Sequence, residues 1–346
     1  MITFNFYGTS HGEGYGGVIS GLPNGFTFDV DYINEQLRLR KTGFGRSARQ
    51  LYADEVVFEG FDKQVTVNGE LKFFIANKSI ERRSDITAVR SGHSDLVGTV
   101  RHQNLTAREL AELTSARNSV CYVVVGAICK QYLNTLGIST YHYVAKIGGI
   151  SSRNRYRFGV SESEPHFGVL HCPCRYATKL MTEAIEKARQ EGNSLGGVVT
   201  VGATGVPMGI GEILPYTERL DAQIAANIMG IPSVKGISFG LGDKFASVSG
   251  VEAHDELGVD GDKIVYLTNK CGGIVSGITT GGDVLFHVTV KPVPTVKGVA
   301  TVDTQTMQPT AQHYERADTC VVPNVGVIAE NILAYVLTNQ ILKQQQ

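Results

Sequence analysis

Two histidines lie in short turns of small residues near the start of the chain. His11 belongs to residues 8–12 (Gly-Thr-Ser-His-Gly), and His93 belongs to residues 90–94 (Arg-Ser-Gly-His-Ser). Neighbouring glycines let a backbone approach a ligand closely, and an imidazole titrates near neutral pH, so it can exchange a proton with a substrate. Arginines nearby bind anionic oxygens. The pattern indicates acid–base chemistry on a small molecule that carries several negative charges.

A basic segment, residues 38–49, contains five arginine or lysine side chains and no acidic one. Gly43 and Gly45 interrupt it. A solvated basic face is the ordinary alternative, but such faces usually mix charges of both signs. Glycines inside a cationic cluster are typical of a loop that closes on phosphates or carboxylates. We therefore predict an anion-binding loop that contains Arg40 and Arg46.

Charged residues also precede two apolar helices. Residues 114–117 (Thr-Ser-Ala-Arg) open one helix, where a hydroxyl group can act as the cap and the free N–H groups can bind an anion. A cation in the first turn opposes the helix dipole, so Arg117 indicates an anionic ligand nearby. Arg316 and Asp318 precede the C-terminal helix in the same way, although Asp318 is equally well explained as a cap. Lys291 ends a predicted strand, and a surface position is the ordinary alternative for it.

Composition excludes several classes of protein. The formal charge of −1 over 346 residues argues against a general nucleic-acid binder, which would carry a basic excess. We see no apolar run near the ~20 residues of a membrane span and no signal peptide, so we predict a soluble, cytoplasmic protein without a membrane or nucleic-acid partner. Six cysteines suggest no disulfide framework. Residues 171–174 (His-Cys-Pro-Cys) lack the spacing of a zinc site, so we predict no metal, and we expect isolated histidines such as His142 and His287 to be structural.

Helical periodicity is clearest over residues 115–135, 175–191 and 324–342, and the first of these is apolar on nearly all sides, as expected for a central helix. Strand-like runs cover residues 55–58, 72–75, 197–201, 263–267 and 284–290. Helices mixed with strands, without strict βαβ alternation, indicate an α+β fold. We predict a single domain over residues 1–342 and a disordered tail over residues 343–346.

The chain contains one weak internal similarity. Residues 16–25 and 196–209 both combine a glycine pair with a Gly-x-Pro-x-Gly turn, and each precedes a predicted helix, over residues 31–40 and 219–229. This pattern predicts two related halves around a pseudo-twofold axis, and chance similarity between glycine-rich turns is the alternative.

From end to end, these motifs resemble those of the chorismate synthase family. The family's Gly-Glu-Ser-His-Gly and Gly-x-Pro-x-Gly motifs match residues 8–12 and 21–25, and its Arg-Pro-Gly-His-Ala-Asp stretch matches residues 90–95. Its Ser-Ser-Ala-Arg helix start matches residues 114–117, and its Arg-x-Asp-x-Cys motif matches residues 316–320. Further pieces keep the family's order at residues 40–46, 192–197, 234–236, 272–274 and 291–292. Each motif is weak alone, but all of them in order are specific.

The resemblance implies an α+β sandwich with central helices between sheets, and a homotetramer. It also implies an enzyme of aromatic amino acid biosynthesis, a lyase that eliminates phosphate from 5-enolpyruvylshikimate 3-phosphate in an anti-1,4 sense to give chorismate. The implied cofactor is reduced FMN, although the reaction has no net redox change. We see no added flavin-reductase segment, but Arg40 and Arg46 could in principle meet the phosphate of NADP.

The resemblance further implies roles for single residues. His11 lies by the departing phosphate and supplies a proton or charge to it, and His93 lies by the flavin and sets its protonation. Asp318 acts beside the flavin nitrogen that receives the second hydrogen, with Ser10 and Ser115 as hydrogen-bonding relays. The residues implied to clamp the substrate are Arg40, Arg46, Arg90 and Arg117. The residues implied to hold the flavin are Thr114, Ser115, Ser233, Ser276, Lys291, Thr295 and Arg316.

Some positions depart from the family pattern. Thr9 replaces a glutamate, Leu113 replaces an arginine, Ser276 replaces a glycine, and residues 291–295 read Lys-Pro-Val-Pro-Thr where the family has Lys-Pro-Thr-Ser-Ser. Two alternatives to a working enzyme therefore stay open. One is a non-catalytic relative that binds an anionic metabolite, and the other is a related lyase for another phosphorylated or enolpyruvyl ring. The retained histidines, serines and aspartate favour catalysis.

Overall fold

The computed structural model describes residues 1–46, 53–78, 84–152, 168–315 and 317–345. The helices in these ranges are α1 Val30–Lys41, α2 Asp95–Arg101, α3 Ala107–Leu113, α4 Ser119–Thr135, α5 Arg175–Gln190, α6 Leu220–Met229, α7 Gly250–Ala253 and α8 Val322–Gln344. The strands are β1 Thr3–Gly8, β2 Gly14–Ser20, β3 Thr27–Asp29, β4 Val56–Phe58, β5 Gln64–Thr66, β6 Leu71–Ala76, β7 Ser139–Ile147, β8 Ile150–Ser151, β9 Gly197–Thr204, β10 Val234–Phe239, β11 Leu257–Asp260, β12 Lys263–Tyr266, β13 Ile274–Val275, β14 Ile278–Thr279, β15 Val284–Val290, β16 Ala300–Val302 and β17 Pro309–Ala311.

Two larger sheets form the outer layers of the fold. The first has the strand order β1-β2-β6-β4, and the second has the order β10-β15-β9-β7-β8. All neighbouring strands within both sheets are antiparallel. Antiparallel sheets can present one apolar face to a core and the other to solvent, and each sheet here turns its apolar face toward the helices.

Helices α1, α4 and α8 lie between the two sheets. Helix α8 packs on β7 and β9 of the second sheet and crosses α4 on its other side. Helix α4 also faces the first sheet, where the Tyr122 ring lies 5.3 Å from the ring of Phe4 and 5.6 Å from that of Phe6. This layering confirms the predicted α+β sandwich with central helices. It also explains why the sequence of α4 is apolar on nearly every side.

A glycine sets the distance between the two central helices. A Cβ atom at Gly126 of α4 would lie 2.3 Å from the carbonyl oxygen of Asn331 in α8. Backbone atoms of a packed helix cannot give way as a flexible side chain can, so the crossing depends on the missing side chain.

We therefore expect Gly126→Ala to lower the free energy of unfolding by about 3 kcal/mol, the upper end for overpacked cores. Gly250→Ala is the matched control, because no atom lies within 4 Å of a Cβ there, and we expect its effect to stay below about 1 kcal/mol. Urea unfolding followed by circular dichroism measures both. Equal stability of the two variants would show that the helices do not meet as closely as described.

Helix α8, Val322–Gln344, extends the apolar helix predicted over residues 324–342 by two residues at each end. It is long and apolar enough to cross a membrane by length and composition, but 83% of its most apolar window is buried inside the protein. Its apolar character is therefore explained by packing between α4 and the second sheet. The helix also includes Lys343 and Gln344, for which we expected a disordered tail, because Lys343 donates to Glu218 and Gln344 donates to the Gly209 carbonyl.

A buried polar network joins α8 to the second sheet. Glu330 of α8 accepts hydrogen bonds from Lys130 of α4 and Thr140 of β7, and it also pairs with the ring of His142. His142 in turn lies 2.8 Å from a ring nitrogen of His171. Burial alone would raise the pKa of Glu330, but Lys130 and His142 together lower it. The prediction that His142 stands alone is wrong, although its role in this network is structural.

The two segments of the internal similarity each place a strand before a helix, but their connections differ. Strand β3 lies between β2 and α1, whereas β9 leads to α6 through a connection that contains a 3-10 turn at Tyr216–Glu218. Strands β2 and β9 each have a neighbour on both sides in their own sheet. The pseudo-twofold relation itself stays a prediction.

Candidate active site

One cavity of about 560 Å³ gathers almost all of the residues predicted to act. Such a volume is typical of small-molecule sites. The lining includes the predicted residues Ser10, His11, Arg40, Arg46, Arg90, His93, Thr114, Ser115, Arg117, Ser233, Lys291, Thr295 and Asp318. Of the predicted residues that the structure describes, only Ser276 is missing from this lining; it lies in the turn between β13 and β14. Arg316 lies outside the described residues.

The His11 turn is held by hydroxyl groups. Ser10 Oγ lies 3.0 Å from His11 Nδ1 and donates a hydrogen bond to the Glu112 carbonyl. In that arrangement His11 Nδ1–H donates to Ser10. The Glu112 carboxylate lies 3.5 Å from the same nitrogen. Thr9 is the residue that departs from the family motif. Its side-chain oxygen accepts a hydrogen bond from the Gly12 N–H and closes the turn.

The His93 turn is held by a buried carboxylate. Asp95 is fully buried and lies 3.0 Å from His93 Nδ1. It also accepts hydrogen bonds from the backbone, Nε and Nη2 of Arg90. Burial would raise the pKa of Asp95, but the hydrogen bonds from His93 and Arg90 outweigh it and lower the pKa well below its usual range. An ionised Asp95 favours a proton on His93 Nδ1.

The end of helix α3 connects the two histidine turns. Ser94 Oγ lies 3.1 Å from His93 Nδ1 and 2.7 Å from Thr114 Oγ1. Glu112, two residues before Thr114, contacts the His11 turn as described above. Because α3 contacts both turns, a shift of this helix would displace both imidazoles together.

The basic loop folds back on the start of α8. Gly45 has a positive φ of 100° and its carbonyl accepts the Thr319 N–H. Arg46 then donates a 2.6 Å hydrogen bond to Asp318. The predicted substrate clamp and the predicted flavin-side acid are thus in direct contact.

Arg90 is buried and its hydrogen bonds go to protein groups. Beyond its contacts with Asp95, its Nη1 donates to Thr295 and lies 3.7 Å from Glu315. This pattern is typical of an arginine that positions its neighbours. Its predicted contact with substrate stays a prediction.

Known proteins of similar sequence and structure agree on one family. The family described as chorismate synthase matches this chain over residues 2–342. The chorismate synthase of Caldicellulosiruptor bescii is 34% identical, and the match covers 97% of this chain and 93% of that protein. The chorismate synthase of a Geobacillus strain is also 34% identical, and the match covers 97% of this chain and 92% of that protein. A solved structure titled "Crystal Structure of Chorismate Synthase" superimposes with a TM-score of 0.81 at 27% identity, covering 99% of this chain and 92% of its own.

The chain belongs to the chorismate synthase family. This membership confirms the family predicted from the motifs. It also confirms the predicted enzyme class, a lyase that converts 5-enolpyruvylshikimate 3-phosphate to chorismate.

Membership of the chorismate synthase family implies a flavin cofactor, and the cavity has features that fit one. Part of its lining is apolar, formed by Ile231, Pro232, Val293, Pro294 and Ile328. Lys291 lies beside this part and donates a 2.6 Å hydrogen bond to the Gly92 carbonyl, next to His93. Aromatic rings bind to apolar surfaces with a few polar groups that fix their orientation.

Unpaired polar atoms in the lining also fit a missing ligand. Within the described part of the chain, Arg40 Nε, Arg46 Nε and Asn324 Oδ1 are buried without a hydrogen-bond partner. Buried polar atoms are nearly always paired, and exceptions need an explanation. Two donors and one acceptor suit a ligand with anionic oxygens and a ring N–H.

Sequence reasoning missed several residues that complete this chorismate synthase cavity. Asp54, Asn77 and Glu112 line it and contact predicted residues. Glu112 carried a usable signal, because an acidic residue in the last turn of a helix opposes the dipole. Asp54 and Asn77 carried none, since each lies in a short polar stretch next to a strand and belongs to no motif.

Proposed function

We propose that this cavity binds 5-enolpyruvylshikimate 3-phosphate beside reduced FMN, and that the residues named above supply positive charge and protons for the elimination. The observation that carries the proposal is the meeting of both histidine turns, the arginines and Asp318 in one cavity with an apolar part. In this reaction the C–O bond to phosphate breaks, a proton is lost from the other end of the allylic unit, and a new double bond forms.

His11 is the residue we propose to act on the departing phosphate. Charge develops on the phosphate oxygen as the C–O bond breaks, and a protonated imidazole stabilises that charge or transfers its proton there. Ser10 and the Glu112 carboxylate both lie against Nδ1. These two contacts orient the ring.

Arg40, Arg46 and Arg117 are proposed to bind the anionic groups of the substrate. Arg40 Nε and Arg46 Nε are buried donors of the cavity lining that have no hydrogen-bond partner among the described residues. A bound phosphate or carboxylate would satisfy them through charge-assisted hydrogen bonds, which are about twice as strong as neutral ones.

The cofactor is proposed to lie against the apolar part of the lining. Ser233, Lys291 and Thr295 would hold it from one side, with Thr114 and Ser115 near the histidine turns. Bound there, a reduced flavin would supply the electron-rich ring beside which the allylic C–O bond breaks. Asp95 holds His93 by Nδ1, so the other ring nitrogen is the one proposed to exchange a proton with the cofactor. Asp318 is proposed to accept a proton once Arg46 turns toward the substrate.

We expect Arg46→Ala to raise the KM for substrate about tenfold or more while the dissociation constant for reduced FMN changes less than about threefold. The physical reason is the loss of a charge-assisted contact, which contributes about 1.5–3 kcal/mol. Arg38→Ala is the matched control, because Arg38 belongs to the same basic segment but is exposed and pairs with Glu35. Equal loss of substrate and flavin affinity would indicate a disordered loop instead.

Binding experiments separate this proposal from its alternatives. A non-catalytic relative would bind the enolpyruvyl substrate in calorimetry without turnover. A related lyase would bind reduced FMN but not distinguish 5-enolpyruvylshikimate 3-phosphate from shikimate 3-phosphate. The proposed enzyme binds both ligands and requires the enolpyruvyl group.

We also infer a homotetramer, as the family resemblance implies, and a cytoplasmic protein that takes reduced FMN from outside. Whether NADPH contributes electrons is testable by adding it to the protein together with oxidised FMN under anaerobic conditions. Bleaching of the flavin absorbance would show an intrinsic reductase activity, and the proposal predicts none.

A further inference from the structure

Asp54 is a buried carboxylate on which three cationic side chains converge. Arg40 Nη2 lies 3.0 Å from one carboxylate oxygen, and Lys41 Nζ and Arg117 Nη2 lie 3.2 Å and 2.9 Å from the other. The Asp54 side chain is 2% exposed. It comes from the segment before β4, whereas its partners come from α1 and from the start of α4.

The other carboxylates of the lining that meet arginines are more exposed than Asp54. Asp318, which contacts Arg46, is 17% exposed, and Glu315, which lies near Arg108 and Arg90, is 23% exposed. Sharing one carboxylate among three cations brings their charges close together without adding a second buried acid. Such an arrangement is well suited to meeting an anionic ligand, and it depends on one residue.

Further hydrogen bonds connect this cluster to the His11 turn. Arg117 Nε donates to Asn77 Oδ1 at 2.6 Å, and Asn77 Nδ2 donates to the carbonyls of Thr9 and Gly12. The position of Arg117 is therefore set from both ends, by Asp54 and by the turn that carries the proposed acid.

Without Asp54, the buried positive charges of this cluster would be unfavourable. Burial lowers the pKa of Arg40 to about 10, and it lowers the pKa of Lys41 as well; in both cases the Asp54 charge acts in the opposite direction. Removing Asp54 would leave like charges facing one another in a dry site, where repulsion is strongest.

We propose that Asp54 is a positioning residue, which holds Arg40, Lys41 and Arg117 together and charged so that they bind an anionic group of the substrate. The proposal rests on the proposed function. Asp54 itself stays behind the three cations and does not take part in the chemistry.

The test is Asp54→Asn, which keeps the shape of the side chain and removes its charge. We expect the KM for 5-enolpyruvylshikimate 3-phosphate and the dissociation constant for inorganic phosphate to rise about tenfold or more. The dissociation constant for reduced FMN should change less than about twofold. Glu55→Gln is the matched control. Glu55 is the neighbouring acid and pairs with Lys78, which lines the cavity, but Glu55 itself is exposed. We expect Glu55→Gln to change the KM and both dissociation constants less than twofold.

A double variant keeps the test decisive if Asp54→Asn does not fold. Asp54→Asn combined with Lys41→Met removes one buried charge of each sign, which costs less than leaving one charge unpaired. Compared with Lys41→Met alone, the double variant should bind phosphate at least fivefold more weakly, since Arg40 and Arg117 still depend on Asp54.

Two results would overturn the proposal. One is a folded Asp54 variant whose phosphate affinity stays within twofold of its reference, and the other is an equal loss of phosphate and FMN affinity. Phosphate binding is measured without turnover, so failure of the proposed function in the unaltered protein is seen separately, as substrate binding without chorismate.

Discussion

We expect the replacement of His11 with alanine to lower the rate of phosphate elimination by about 10²–10⁴-fold, the usual contribution of general acid–base catalysis. The reason is geometric: the ring lines the cavity and its Nδ1 is held by Ser10 and Glu112. Removal of the ring would leave the charge that develops on phosphate without the proton source that we propose. The apolar part of the cavity is untouched, so reduced FMN should bind within about twofold of its normal affinity.

His102→Ala is the matched control for this experiment, because His102 is an exposed histidine at the end of α2 and is not in the cavity lining. Stopped-flow measurement of chorismate absorbance gives kcat, and flavin fluorescence gives the dissociation constant. A His11→Ala enzyme that retains more than a tenth of normal kcat would refute the role of His11.

Asp95→Asn is expected to lower the free energy of unfolding by about 3–5 kcal/mol at pH 7, as for other broken buried ion pairs. Asp95 is fully buried and accepts hydrogen bonds from three nitrogens of Arg90. The substitution leaves the buried Arg90 charge with only the more distant carboxylate of Glu315, 3.7 Å away. It also releases His93, so we expect kcat to fall as well.

The effect of Asp95 on stability should depend on pH. Because folding lowers the pKa of Asp95, its contribution is fully present above the pKa of the unfolded chain, near 3.9, and is lost as the pH falls through the lower folded value. The unaltered protein should therefore lose stability below about pH 4 more steeply than Asp95→Asn. Asp62→Asn, an exposed acid, is the control. If Asp95→Asn changes the free energy of unfolding by less than about 1 kcal/mol at pH 7, the stabilising role assigned to Asp95 is contradicted.

The helices could be predicted from sequence because their signal is local. The periodic apolar residues of 175–191 and 324–342 place α5 and α8 to within a few residues. Strand β1, which reads Thr-Phe-Asn-Phe-Tyr-Gly, has a strand-like pattern that could have found it, but β2 was missed for a physical reason. Strand β2 reads Gly-Tyr-Gly-Gly-Val-Ile-Ser, and glycine has low strand propensity. The tertiary contacts of β2 with β1 and β6 override that preference.

Site residues that lie in a sequence motif could be predicted. Residues that contact those motifs from distant parts of the chain could not. His11, His93 and Asp318 lie in motifs, and all three line one cavity. Asp54, which contacts Arg40 and Lys41 at the end of α1, could not be found this way, because its meeting with Arg117 brings together the segment before β4 and the segment before α4. Ser276 was assigned by resemblance, and its turn between β13 and β14 lies outside the described cavity lining.

The most direct test of this account is anaerobic turnover of 5-enolpyruvylshikimate 3-phosphate by the purified protein with chemically reduced FMN. Chorismate and inorganic phosphate are measured together, with oxidised FMN as the control. The account predicts equal amounts of the two products with reduced flavin and none with oxidised flavin. Substrate that binds in calorimetry but yields neither product with reduced flavin would contradict it.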